Sequence, residues 1–187
     1  MAAAAEWLEG ARPRTLPTAI APVLAGTAIA ITDGGARWGL AALCLVVALG
    51  LVIGVNFAND YSDGVRGSDG EDRVGPLRLV GSGLAEPSHV RVAAFACFAV
   101  SAVAGLVITI MTGHWWFIAV GVVCILAAWF YTGGSHPYGY AGLGEIFVFI
   151  FFGLVAVGGT IYVQTDHVGA AGWVTACLIG ATACGVL

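Results

Sequence analysis

Lysine is missing altogether from this chain, and all seven basic residues are arginines. Charge of either sign is scarce, at 10% of residues, and the formal net charge is −4. A chain without a basic face is poorly made for nucleic acid, whose phosphates call for clustered cations. The five cysteines (Cys44, Cys97, Cys124, Cys177, Cys184) contain no Cys-x-x-Cys pair and all lie in apolar runs. That spacing offers no zinc or disulfide framework and reads as small buried hydrophobes.

What is present in excess is apolar. Hydrophobic residues make up 59% of the chain and the mean hydropathy is +0.94, well above the roughly 45–50% of soluble proteins. The 28 glycines suit closely packed membrane helices better than a soluble core. A length of 187 residues predicts one membrane domain, 1–187. Apolar segments fall at 16–32, 38–58, 90–111, 115–132, 143–163 and 172–187, near the length a helix needs to cross a bilayer. The expected fold class is therefore all-α, a polytopic transmembrane helical bundle embedded in lipid. A cleavable signal peptide is the competing reading of the first segment, because Ala28-Ile29-Ala30 imitates a cleavage site. Against it, Glu6 and Glu9 offset Arg12 and Arg14, and Pro17 and Pro22 interrupt the run.

Arginine placement predicts an orientation. Arg12, Arg14, Arg66, Arg73, Arg78 and Arg91 fall on one side of the alternating segments and Arg37 on the other. The positive-inside rule then puts the N-terminus and the charged loop in the cytoplasm. The same alternation brings YTGGSHPYGY, residues 131–140, to that side. Two unusual loops should therefore face each other at one membrane surface. The chain stops at Leu187 inside an apolar run, so the last helix is expected to be cut short.

The little charge there is lies concentrated. NDYSDGVRGSDGEDRVGPLR, residues 59–78, holds eight of the eighteen acidic and basic residues. If the second apolar helix continues into it, Asn56, Asp60 and Asp63 fall at i, i+4 and i+7 on one face, with Asn59 a turn before Asp63. Gly64 is the expected stop. Hard oxygen ligands of this kind suit Mg²⁺, which binds through one or two carboxylates plus substrate phosphates. Neighbouring arginines are matched to phosphate oxygens. Acids for metal, arginines for phosphate and apolar helices around them describe a site for a lipid diphosphate. The plainer possibility is a solvated connection between membrane helices.

Three stretches carry a likeness to a known family: ARPRTLPTAIAPVLAG, NFANDYSDGVRGSDGEDRVGPLRLVGSG and YTGGSHPYGYAGLGEIFVFIFFG. The chain resembles the UbiA-type membrane prenyltransferases, and within them the branch that prenylates 1,4-dihydroxy-2-naphthoate in menaquinone synthesis. The resemblance implies a bundle of about nine membrane helices, of which this chain would hold about six, around a central cavity opening to the cytoplasmic side of a bacterial cell membrane. It implies Mg²⁺ as cofactor, held by a first motif of Asn59, Asp60, Asp63 and Asp69, and polyprenyl diphosphate and 1,4-dihydroxy-2-naphthoate as substrates. Arg66, Arg73 and Arg78 resemble the loop arginines near diphosphate, and Tyr131 and Tyr138 match the tyrosines of the later motif. Two positions depart from the pattern. His136 stands where relatives carry Arg or Lys, and the second aspartate motif lies beyond the last residue, so the chain is expected to be the N-terminal part of a family member.

The implied reaction is ionisation of the allylic carbon–oxygen bond, capture of the carbocation by the naphthoate ring and loss of CO₂. Asp60, Asp63 and Tyr131 are the expected catalytic residues. Tyr131, Phe147, Phe149 or Phe151 are candidates to face the cation, although packing or lipid contact explains the phenylalanines as well. Arg14 reads as a topology determinant or as a substrate contact. Glu145 reads as a functional intramembrane carboxylate or as a helix-start acid. The histidines His89, His114 and His167 read as loop surface residues. A CDP-alcohol phosphotransferase is disfavoured, because Asp60-x-x-Asp63-Gly64 lacks the Ala-Arg that should follow and no paired aspartates occur beyond Gly83. A transporter would bury ionisable residues at mid-membrane, whereas the helices from 90 to 132 carry only Arg91 and His114, both at ends. A family member acting on a different aromatic acceptor, or an inactive fragment, is also compatible with these residues.

Overall fold

The computed structural model describes residues 2–67 and 77–186. Among them every apolar segment is helical, and no strand occurs. The helices are α1 (Ala4–Gly10), α2 (Pro17–Thr32), α3 (Trp38–Arg66), α4 (Pro87–Thr112), α5 (Phe117–Phe130), α6 (Gly144–Thr165) and α7 (Ala170–Cys184). Short 3₁₀ turns lie at Pro13–Thr15 and Tyr138–Ala141. By length and composition α3, α4 and α6 can each cross a bilayer, and the pair Ala4–Thr15 and Pro17–Thr32, bent by 49°, forms a fourth candidate span. Helices α5 and α7 are shorter, at 14 and 15 residues.

Local chemistry sets several boundaries. Pro17 and Pro87 sit in the first turns of α2 and α4, where a missing N–H costs nothing. Gly113 ends α4 with φ 74°. The expected stop at Gly64 is corrected: α3 runs on to Arg66, and Gly67 closes it with φ 70° and its N–H on the carbonyls of Asp63 and Gly64. Gly64 serves packing instead, since a Cβ there would lie 2.3 Å from Val80 Cγ1. Helix α1 was not expected from the apolar pattern. Its start is fixed by the Ala3 N–H donating to Glu6 Oε2 at 2.6 Å, one half of a capping box, and Trp7 packs edge-on against Phe57 at 5.6 Å.

Small residues let the helices close on one another, as membrane packing requires. Gly50 and Gly54 of α3 lie under Ser101 and Phe98 of α4. Gly26 of α2 meets Thr160 of α6. Residues Phe149–Val155 of α6 form a π-helical turn, and within it Gly153 touches the backbone of Ala176 and Gly180 in α7. A core of Phe57, Leu79, Val90, Ala94, Phe98 and Ala128 joins α3, α4 and α5 to the segment after residue 77.

The two ends of the bundle differ. One end gathers the N-terminal arm, the end of α3, residues 77–86 and the α5–α6 loop. The described ends of the charged stretch meet the α5–α6 loop there, on one side as the alternation predicts. At the other end Gln164 is buried and accepts the Arg37 N–H at 3.1 Å while donating to the Thr160 carbonyl at 2.9 Å. His114 meets Asp166 at 2.8 Å and His167 lies 3.8 Å from Asp33. Trp38, Trp115, Trp116 and Trp173 are exposed near that end, the placement of an interfacial aromatic belt.

Candidate active site

The last turns of α3 carry five polar side chains within one arc: Asn56, Asn59, Asp60, Asp63 and Arg66. The first four are buried. A helix that leaves apolar surroundings with that much polarity needs partners for every group. Three segments supply them.

The N-terminal arm takes Asn56, whose Nδ2 donates to the Ala11 carbonyl and to Thr15 Oγ1, both at 2.9 Å. Residues 77–85 take the carboxylates. Asp60, 1% exposed, accepts the Leu79 N–H at 2.7 Å and the Val80 N–H at 3.0 Å, one on each oxygen. Leu79 is wholly buried against Gly10 and Phe57. The segment so anchored delivers Arg78, whose Nη2 donates to Asp63 Oδ2 at 2.8 Å.

The α5–α6 loop closes the other flank. Thr132 donates to Asn59 Oδ1 at 2.7 Å. Arg66 donates to the carbonyls of Thr132 and Gly134 and lies 5.5 Å over the ring of Tyr140. The Tyr140 hydroxyl donates to Asp63 Oδ1. Burial, with the Asp63 carboxylate beside it, raises the Tyr140 pKa above that of a free phenol. Tyr131 is shifted the same way by burial, with the charges of Glu145 and Asp63 adding to it. Behind them Tyr138 donates to the Ala127 carbonyl at 2.7 Å. It meets Tyr131 edge-on at 5.4 Å and stacks on Phe147 at 4.0 Å, with Phe151 at 6.0 Å from Phe147.

The structure thus brings Asn56, Asn59, Asp60, Asp63, Arg66, Arg78, Tyr131 and Tyr138 to one end of the bundle. Asp69 and Arg73 lie outside the described residues. Arg14 is exposed on the N-terminal arm, and His136 is exposed with its Nδ1 3.0 Å from Ser135 Oγ. Glu145 is exposed in the first turn of α6, the place a helix dipole favours for an acid. Phe149 packs towards Gly180 rather than towards the tyrosines. Three site residues escaped the sequence reading: Thr15, Thr132 and Tyr140. The signal for Tyr140 was weak, a third tyrosine in YTGGSHPYGY.

No group of three or more His, Cys, Asp or Glu side chains able to hold a metal comes together among the described residues. What the site offers is a pair of hard oxygens, Asn59 Oδ1 and Asp63 Oδ1, a turn apart with the Arg78 guanidinium adjacent. This donor set fits a Mg²⁺ ion that keeps waters and shares a substrate's phosphate oxygens, and does not fit an all-protein cage. Asp60, expected to face the metal, accepts one backbone amide on each oxygen, and each oxygen keeps a further lone pair.

Comparison with known proteins places the chain in a family. The profile of the UbiA prenyltransferase family matches residues 19–187. The 1,4-dihydroxy-2-naphthoate octaprenyltransferase of Mycobacterium tuberculosis is 58% identical over 187 residues, covering 100% of this chain and 63% of that protein. The enzyme of the same name from Escherichia coli is 39% identical over 97% of this chain and 59% of its own length, and that of Bacillus subtilis 31% identical over 84% and 50%. The chain therefore spans less than two thirds of the length of these curated relatives.

Proposed function

The chain belongs to the UbiA prenyltransferase family, and from that premise we propose that it moves a polyprenyl group from polyprenyl diphosphate onto 1,4-dihydroxy-2-naphthoate, with loss of CO₂. It is an integral membrane protein, and the charged end of the bundle is proposed to face the cytoplasm from the cell membrane. The observation that carries the reading is the meeting of Arg78, Asp63 and the α5–α6 loop at the end of an apolar bundle.

Asn59 and Asp63 would hold Mg²⁺ together with the diphosphate. When bound, the ion neutralises charge on the leaving group. Arg66 and Arg78 contribute fixed positive charge at the same place, where losing one such donor costs on the order of 10²–10³ in rate. Asp60 acts at one remove: its grip on the amides of 79 and 80 sets where Arg78 points. As the allylic carbon–oxygen bond breaks, its electron pair leaves with the diphosphate. Tyr131, Tyr138 and Phe147 form an aromatic cluster next to the site, a surrounding suited to an electron-poor carbon. The apolar helices keep water from that carbon until the naphthoate ring attacks it.

Membranes containing the protein, supplied with polyprenyl diphosphate, 1,4-dihydroxy-2-naphthoate and Mg²⁺, should yield a prenylated product lacking the carboxyl group by mass spectrometry. Chelation of divalent ions and Asp63→Asn should each abolish it. Transfer to 4-hydroxybenzoate in place of the naphthoate would point to a different aromatic acceptor, and near-normal turnover of Asp63→Asn would overturn the site.

A further inference from the structure

We propose that Tyr140 is a latch on Asp63, closed in the empty site and displaced when a diphosphate with its divalent cation binds. The inference rests on the reading of Asp63 as part of a diphosphate site. Asp63 has two oxygens, and each already accepts a hydrogen bond: Oδ2 from Arg78 at 2.8 Å and Oδ1 from the Tyr140 hydroxyl. A cation entering between Asn59 and Asp63 needs one of those oxygens. Which partner yields is decided by burial.

The Arg78 and Asp63 side chains are 9% and 12% exposed. Pulling them apart leaves charge without its counter-charge in a poorly solvated place. Tyr140 as a residue is 56% exposed, so of the two partners it is the one that can turn out into water. The loop also confines the movement to Tyr140. Tyr138 is tied to the Ala127 carbonyl, and the Gly139 N–H donates to the Tyr131 carbonyl at 2.9 Å. A Cβ on Gly139 would sit 2.6 Å from that carbonyl oxygen. Beyond Tyr140, Ala141 and Gly142 are exposed, and Gly142 turns at φ 72°. The chain is thus pinned just before Tyr140 and turns through a glycine into solvent just after it. The latch keeps Asp63 satisfied while the site is empty.

A latch that competes with ligand lowers apparent affinity by the fraction of time it is open. Tyr140→Phe keeps the ring under Arg66 and removes only the hydroxyl. Isothermal titration of the protein in nanodiscs with inorganic pyrophosphate and Mg²⁺ should therefore show binding tighter by about five- to tenfold in Tyr140→Phe. In the unsubstituted protein, nitration of Tyr140 by tetranitromethane, read by mass spectrometry, should increase when magnesium pyrophosphate is added. Binding by the unsubstituted protein with equal or weaker binding by Tyr140→Phe, or nitration that stays level or falls on binding, overturns the latch alone. Absence of pyrophosphate binding by the unsubstituted protein overturns the diphosphate site and the latch with it.

Discussion

Arg78 and Asp63 meet through Nη2 and Oδ2 at 2.8 Å, fifteen residues apart in sequence and both largely shielded from solvent. The pair joins the segment after residue 77 to the end of α3, so it has a structural as well as a chemical part. Breaking it from one side strands the other charge, a change that typically costs about 3–5 kcal/mol. Arg78→Met should lower unfolding stability in detergent by about 3 kcal/mol. Adding Asp63→Leu should recover most of that loss while leaving prenyl transfer absent. A double variant as unstable as the single one would show that the pairing is not what the segment depends on.

Asp60 sits one residue from Asn59 yet meets different partners. Its carboxylate holds two consecutive amides, and Asp60→Asn replaces one acceptor oxygen with an NH₂ group facing an N–H. An unsatisfied buried donor costs about 1–3 kcal/mol. Limited proteolysis within residues 77–83 should accelerate in Asp60→Asn, and the loss of transfer should accompany that loosening. Cleavage at the unsubstituted rate, together with lost magnesium pyrophosphate binding, would return Asp60 to the role of direct ligand.

The helices were legible because each apolar run is long and bounded by polar residues. The helical face of Asn56, Asp60 and Asp63 formed as its spacing requires. The partner of each group was not legible. Asp60 is answered by amides nineteen and twenty residues on, and Asp63 by a tyrosine seventy-seven residues on, and no local pattern specifies contacts at that distance. Gly64 misled for a related reason. Glycine signals either a stop or a close approach, and only Val80 against it decides which. The α1 helix was missed because seven residues give too short a period to read, and the π-helical turn because a five-residue bonding pattern leaves the apolar run unchanged.

Gly64 yields a direct test of that packing. An Ala Cβ would stand 2.3 Å from Val80 Cγ1 and 2.6 Å from Val80 Cβ. Either α3 or residues 79–81 must shift, at a cost of about 1–3 kcal/mol. Gly64→Ala should destabilise by that amount, and Val80→Ala in the same chain should relieve most of it. Absence of rescue, read from thermal unfolding of the three variants, would mean that the helix and the segment are not pressed together at this point.

Sidedness is the last prediction. Among the described residues Arg12, Arg14, Arg66, Arg78 and Arg91 lie at the end of the bundle that carries the site, and Arg37 lies at the other. Arginine near short loops is retained on the cytoplasmic side, so the site should open inward. The exposed tryptophans at the opposite end, Trp38, Trp115, Trp116 and Trp173, then mark the outer interface. Single cysteines at Ser82, Ser135 and His167, all exposed, distinguish the two orientations once the five native cysteines are replaced. In intact cells an impermeant thiol reagent should label the cysteine at 167 and spare those at 82 and 135, and inside-out vesicles should reverse the pattern. Labelling of 82 and 135 from outside would invert the orientation. Labelling of only one of that pair would break the finding that the segment after residue 77 and the α5–α6 loop share one face, and with it the site they form around Asp63.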